Sequence, residues 1–238
     1  MSYPDFVLPP RTRTFKRLRE LTSQKDKSFF RALTYESIRG LVLKGKTIDI
    51  GGGSNSSYHN LIQLDGKIDS LNNNKDYEYT ISGDLNDELS IESSSYDNFI
   101  CLNTYEHVFD DDNAIEESFR ILKEGGNFVI SVPFIYRIHI SSYKDYNRRT
   151  PFWWESKFKK MGLDVSAITI EPLVWDSITT GYFTWRSIDT GLLGKLIMLR
   201  SIFKDWKVKE DRLPKNKSNL KVVDFSMGFV IKGRKIIM

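Results

Sequence analysis

One cysteine, three histidines and seven prolines are all that the 238 residues hold of those types. With Cys101 alone, no internal disulfide can form, so the chain reads as a protein of a reducing compartment, with the cytoplasm as its expected location. Zinc is not expected, because Cys101 has no Cys or His companion at ligand spacing. No stretch approaches the roughly eighteen uninterrupted apolar residues of a membrane span. The opening MSYPDFVLPPRTRTFKRLRE also lacks the charged-then-apolar layout of a secretory leader. Internal repeats and low-complexity tracts are missing, which excludes collagen-like and disordered chains. The 35 basic residues only slightly outnumber the 31 acidic ones, so nucleic-acid or anionic-membrane partners are permitted but not demanded. A composition 40% hydrophobic and 28% charged can bury a real core, as one domain or two.

The order of apolar patterns predicts the fold. Residues 14–24 and 28–42 read as helices, the second carrying Phe29, Phe30, Leu33, Ile38 and Leu41 at helical spacing. Thr47–Ile50 is a short strand running into Gly51-Gly52-Gly53. A weak helix over 58–64 precedes strands near 68–71 and 79–82, and YDNFICL at 96–102 is a buried strand by composition. Asn113, with Glu116 three residues on, predicts a capping box for a helix to Lys123, ended by Gly125-Gly126 before a strand over 127–132. A helix from Pro151, a strand over 165–170 and a closing strand near 229–232 complete the pattern. Strands alternating with helices argue for βαβ units, a mostly parallel sheet and helices on both faces.

A strand that ends on glycines lets a ligand approach the backbone without meeting a Cβ, at the carboxyl edge of a parallel sheet. The dinucleotide fingerprint needs G-x-G-x-x-G, and Ser56 stands where its third glycine belongs, which disfavours a nicotinamide cofactor. The turn instead resembles D-x-G-x-G-x-G, the first motif of class I S-adenosylmethionine (SAM)-dependent methyltransferases, as Asp49, Gly51 and Gly53, with Asn55 departing from the last glycine. Gly83-Asp84-Leu85, Tyr105-Glu106-His107-Val108 and Arg120-Ile121-Leu122-Lys123-Glu124-Gly125-Gly126 match later elements of that family in order. The match runs from about residue 47 to 134. It implies a Rossmann-like class I sheet, mostly parallel with an antiparallel last strand. Residues 1–46 would be an N-terminal helical cap, 47–170 the SAM-binding core, 171–221 an insertion and 222–238 the closing strand.

The resemblance also implies a cofactor site. Asp49, Gly51, Gly52 and Gly53 would lie along the methionine moiety, with Asp49 meeting its ammonium directly or through water. Asp84, followed by Leu85, would accept from the adenine amino group, and Asn103 follows the fourth strand. Two residues compete for the ribose: Asp69 has the carboxylate, whereas Asn72 has the more usual spacing but a single acceptor oxygen. No metal is implied.

A hydroxyl acceptor must lose its proton during transfer, and a histidine is the usual base. His107 lies just past the fourth strand. His139 opens a stretch with Asp145, Tyr146, Arg148 and Thr150 that resembles the one after the fifth strand in methyltransferases of bacterial surface-polysaccharide gene clusters. The expectation is His139 or His107 as base, Asp145 as orienter and Arg148 as an anion or hydroxyl contact. The competing structural account makes that stretch a loop capping the Pro151 helix. His59 is expected to pack or face solvent. Asp110-Asp111-Asp112 complement a helix N-terminus more simply than they hold a metal. The basic group of Arg11, Arg13, Lys16, Arg17 and Arg19 is expected to be a solvated helix face.

All five tryptophans lie between 153 and 206, where they either pack a core or face the apolar side of a sugar. Residues 191–207 are apolar around most of a helix, with Lys195, Arg200, Lys204 and Lys207 interspersed. They suit burial, a lid, a homodimer contact or a peripheral membrane contact. The expected activity is SAM-dependent O-methylation of a sugar or lipid-linked glycan, a small-molecule or glycan acceptor in surface-polysaccharide biosynthesis. A non-catalytic binding module of the same fold is the alternative. DNA is not expected as a partner, and RNA methylation is disfavoured because no dense basic stripe accompanies the core.

Overall fold

The computed structural model describes residues 5–11, 14–24, 27–138, 144–175 and 223–238, with Thr180, Gly181 and Leu196 between them. His139, Trp185, Trp206 and nearly all of 191–207 lie outside the described residues. No helix among the described residues is long and apolar enough to cross a membrane.

Thr14 and Ser28 open the first two helices, α1 (Phe15–Thr22) and α2 (Phe29–Ile38), each side-chain oxygen accepting a backbone N–H three residues on. α2 stops short of the expected residue 42. Arg39 is extended and Gly40 takes a φ of +76°, after which β1 (Val42–Lys44) pairs in parallel with β3 (Gln63–Asp65). That pairing also displaces the expected helix over 58–64, leaving a 3-10 turn at Ser57–Leu61 after β2 (Thr47–Ile50). A seven-stranded sheet then forms from β2, β4 (Ile68–Asn72), β5 (Ile81–Ser82), β6 (Tyr96–Leu102), β7 (Leu122–Pro133), β8 (Ile168–Leu173) and β9 (Gly228–Arg234). Its order is β5-β4-β2-β6-β7-β9-β8, with β9 antiparallel to both neighbours. This is the expected Rossmann-like sheet, mostly parallel with an antiparallel last strand.

Helices cover both faces. On one, α1 and α2 bury Leu21, Phe29, Leu33 and Ile38 against Ile100, Val129 and Val230. On the other, α3 (Asp111–Ile121) and α4 (Pro151–Lys160) bury Ile115, Phe119, Trp154 and Phe158 against Ile48, Phe99 and Phe128. Asp110, not Asn113, caps α3: its side chain accepts from the Asn113 N–H at 3.1 Å. The expected capping box is absent because Glu116 pairs with Lys157 at 2.7 Å. β7 begins directly after α3, so Gly125 and Gly126 lie inside a strand whose register is shifted there instead of ending the helix.

The first 46 residues do more than supply helices. Val7 bridges Ile170 alongside β8, covering that sheet edge. Arg11 pairs with buried Glu171, which also accepts from Ser37 Oγ at 2.6 Å. Arg17 makes a forked pair with Glu36 at 2.7 and 2.8 Å and lies over the Trp175 ring. Of the basic residues expected on a solvated face, Arg17 is thus committed inside the molecule, whereas Arg11 is paired but stays exposed.

Candidate functional site

The chain leaves β2, runs outward through β4 and β5, then returns to β6 on the other side of β2. The carboxyl ends of these strands therefore border the point where the winding reverses, the usual ligand position in such sheets. A cleft of about 670 Å³ lies there, within the range of roughly 300–1,000 Å³ typical of cofactor and small-molecule sites. Gly51, Asn72 and Asn103 enter it from the ends of the three strands, and Asp84, Leu85 and Asn73 from the loops beyond.

Gly51 has a φ of +79°, and a Cβ there would fall 2.3 Å from the Thr104 side chain, so only glycine leaves both the turn and the cleft open. Gly52 sits over Asp49, whose Oδ2 would be 2.1 Å from a Cβ at Gly52. Asp49 itself is fully buried and does not line the cleft. Its Oδ2 accepts from Tyr58 Oη at 2.6 Å and meets His59 Nε2 at 2.7 Å. Burial and the Asp49 charge push the Tyr58 phenol well up, which keeps it a donor. Asp49 thus braces the glycine turn from below the cleft surface, with its Oδ1 unpartnered among the described residues, and His59 packs edge-on against the Tyr58 ring as expected while also meeting Asp49. Gly52 and Gly53 likewise stay outside the lining. Exposed Asn55, at the departure from the motif, donates to Glu78 at 3.0 Å away from the cleft.

The two ribose candidates are placed differently. Asp69 lies near the start of β4, buried against Tyr96 Oη at 2.9 Å and Lys67 at 3.0 Å, far along the strand from the cleft edge. Asn72 does reach the cleft, but its Nδ2 donates to the Gly51 and Gly52 carbonyls and its Oδ1 accepts from the Asn73 and Asn74 N–H groups. It stitches the turn to β4. Asn73, missed in the sequence, takes the facing position and donates to Asp84 Oδ2 at 3.0 Å. Hydrogen bonds from the Asn86 backbone outweigh burial and, with those of the Asn86 and Asn73 side chains, hold the Asp84 carboxyl below the usual range.

Across the cleft, a 3-10 turn at Tyr105–His107 brings in two adjacent titratable groups. His107 Nδ1 lies 2.8 Å from the Lys144 carbonyl. A carbonyl can only accept, so Nδ1 carries the hydrogen and, in the neutral ring, Nε2 carries the lone pair. Glu106 was quoted in the sequence motif but not singled out. Its side chain is 1% exposed, with Oε1 3.8 Å from His107 Nε2. Apart from a contact with its own backbone N–H, neither carboxyl oxygen has a hydrogen-bond partner among the described residues. Burial pushes its pKa up to about 8, against the backbone hydrogen bond and Arg148 charge that lower it. This has a consequence for stability. The folded value lies above the unfolded 4.5, so Glu106 favours folding below that pH and loses this contribution as pH rises through about 8. The Glu106→Gln protein is expected to match wild type near pH 5 and to gain on it by up to a few kcal/mol at pH 9. Urea midpoints at both pH values check this, and a gap independent of pH would contradict it.

Asp145 and Arg148 do come together, but with each other: a forked ion pair with the Asp145 side chain 2% exposed. The Arg148 guanidinium is therefore not a ready anion contact, and Asp145 is committed to it. The Tyr146 N–H donates to the Glu106 carbonyl at 2.7 Å, tying this segment to the His107 turn. Asp111 pairs with Arg149 and Asp112 with Lys157, so the acidic triplet caps and clamps α3. Trp154 is fully buried, while Trp153 and Trp175 lie under Arg149 and Arg17. The cleft's aromatic lining comes instead from Phe30, Tyr77, Tyr136 and Tyr146.

Residues 52–130 match the family model described as a methyltransferase domain. No curated protein matches the chain. Among solved structures, a chain of the Haloferax volcanii complex containing the Trm112 methyltransferase activator is 16% identical with a TM-score of 0.54, over 92% of this chain and 94% of that one. Phosphoethanolamine N-methyltransferase 2 of Haemonchus contortus, in complex with S-adenosyl-L-methionine, is 18% identical with a TM-score of 0.50, over 88% of this chain and 52% of that one. At these identities the structural likeness establishes the fold.

Proposed function

We propose that this chain, whose fold and matched domain are those of class I SAM-dependent methyltransferases, transfers a methyl group to a hydroxyl of a sugar or lipid-linked glycan in surface-polysaccharide biosynthesis. S-adenosylmethionine is the cofactor of this domain, and the residues present suit it. The Gly51 turn admits a ligand against the backbone, and Asp84 offers an ionised acceptor for the adenine amino group. Asn73, beside it, replaces the excluded Asp69 and committed Asn72 at the ribose. The observation that carries the reading is the cleft itself, with these groups on one wall and a correctly tautomerised histidine on the other.

When bound, the cofactor supplies a methyl group on a positively charged sulfur, which is already electrophilic. The chain's task is to place an acceptor oxygen in line and receive its proton. His107 Nε2 takes that proton, and the Lys144 carbonyl holds the ring and favours the imidazolium that results. Glu106, a positioning residue, meets the same ring edge from the buried side. His139, outside the described residues, is the alternative base.

Calorimetric titration with S-adenosylhomocysteine tests the cofactor site. Micromolar binding is expected, weakened about tenfold in Asp84→Ala, the equivalent of one charge-assisted hydrogen bond. No binding by the wild-type protein would instead favour a non-catalytic module of the same fold.

A further inference from the structure

We propose that the acceptor is an anion: the molecule bearing the methylated hydroxyl also carries a phosphate, diphosphate or carboxylate, which Arg137 and Lys144 hold at the cleft mouth. This rests on the methyl-transfer reading above and names the acceptor class for that site.

Three cationic side chains line the cleft, Arg31 from α2 and Arg137 and Lys144 from the segment after β7. None of them makes an ion pair among the described residues. Their neighbours behave differently: Arg148 is paired with Asp145, Arg149 with Asp111, and Lys157 with Asp112 and Glu116. Among the described residues, the cations around this rim are thus matched with acids, while the three where the surface is concave are not. Such a site focuses positive potential on whatever enters it.

The acids within the cleft do not cancel that potential. Asp84 is held among Asn73 and Asn86 on the adenine side, and Glu106 is buried and predominantly protonated at neutral pH. Nor does the cofactor cancel it. Its sulfonium and ammonium outnumber its single carboxylate, which can neutralise one of the three cations at most. A neutral acceptor would leave the others unmatched at the mouth of a cleft that already holds a sulfonium. An acceptor with an oxyanion supplies the missing charge and matches the guanidinium fork of Arg137.

The proposal puts anion and hydroxyl on one molecule. Lys144 supplies the carbonyl that holds His107, so its ammonium is one side chain's reach from the proposed base. Arg137 follows Tyr136, whose ring packs on Phe30 of α2 at 5.1 Å. Both cations are exposed, so their replacement should not disturb the core.

The test uses the full chain saturated with S-adenosylhomocysteine and titrated with inorganic pyrophosphate, with glucuronate and methyl glucoside as parallel arms. Pyrophosphate or glucuronate should bind and methyl glucoside should not. The Arg137→Gln/Lys144→Gln protein should lose at least tenfold in anion affinity while keeping its S-adenosylhomocysteine affinity. Whichever anion binds more tightly identifies a phosphorylated or an acidic sugar as the source. Unchanged anion binding in the double variant, or none in wild type, overturns the proposal and leaves the cofactor reading intact. An RNA oligonucleotide that outbinds both anions with steep salt dependence overturns the small acceptor in favour of RNA. Failure of S-adenosylhomocysteine itself to bind removes the methyl-transfer reading and this one with it.

Discussion

His107→Ala should lose about a hundred- to ten-thousand-fold in methyl transfer, the usual contribution of a positioned general base, while binding S-adenosylhomocysteine as wild type does. The expectation follows from tautomer and place. Nδ1 is tied to the Lys144 carbonyl at 2.8 Å, so the ring is fixed and, in the neutral ring, Nε2 carries the lone pair. Transfer of labelled methyl from the cofactor to phosphorylated and acidic sugars gives the rate, and a loss in kcat with unchanged cofactor affinity separates the base from a packing residue. His139→Ala serves as the decisive companion. Retained turnover there assigns the base to His107, whereas loss there with normal turnover in His107→Ala moves it to the segment after β7.

Gly51→Ala is expected to damage stability and the cofactor site together, costing roughly 2–4 kcal/mol from a strained φ and an overpacked contact. The new Cβ would fall 2.3 Å from both Thr104 Cγ2 and Oγ1. Thr104 Oγ1 donates to the Ile50 carbonyl at 3.2 Å, so moving it disturbs the ends of β2 and β6 at once. Gly40→Ala isolates the backbone part. Gly40 has nearly the same φ, +76°, with nothing within 4 Å of its would-be Cβ, and should cost about 1 kcal/mol. Thermal unfolding and S-adenosylhomocysteine titration of both variants check this. Equal losses in the two would mean that the contact with Thr104 carries no weight.

Where local pattern is enough, the elements form as the sequence predicts. The β-branched run Thr47–Ile50, the apolar run Tyr96–Leu102 and the amphipathic α2 declare themselves because their burial depends on period alone. Their ends are another matter. Residues 42–44 leave the helix for a strand because β3 offers a parallel partner, and a partner twenty residues away leaves no trace in the local pattern. Asp110 outcompetes Asn113 as a cap because Asn86 Oδ1, distant in the chain, accepts the Phe109 and Asp110 N–H groups and holds Asp110 at the helix start.

By itself, the sequence determined the sheet class and the glycine turn and pointed to the cofactor, since order along the chain and backbone freedom are one-dimensional properties. It also named Gly51, Asp84 and His107 by motif. Only the tertiary structure decided what neighbouring side chains do to them. Asp49 and Asn72 became braces because Tyr58, His59 and the turn carbonyls reach them first. Asp69 left the site because its place on β4 is nearer the far end of the sheet. Arg148 was neutralised by Asp145, while Glu106 gained importance because no other described residue bonds its buried carboxyl. Which polar groups are already satisfied depends on contacts between residues distant in the chain, and spacing in a sequence does not carry that information.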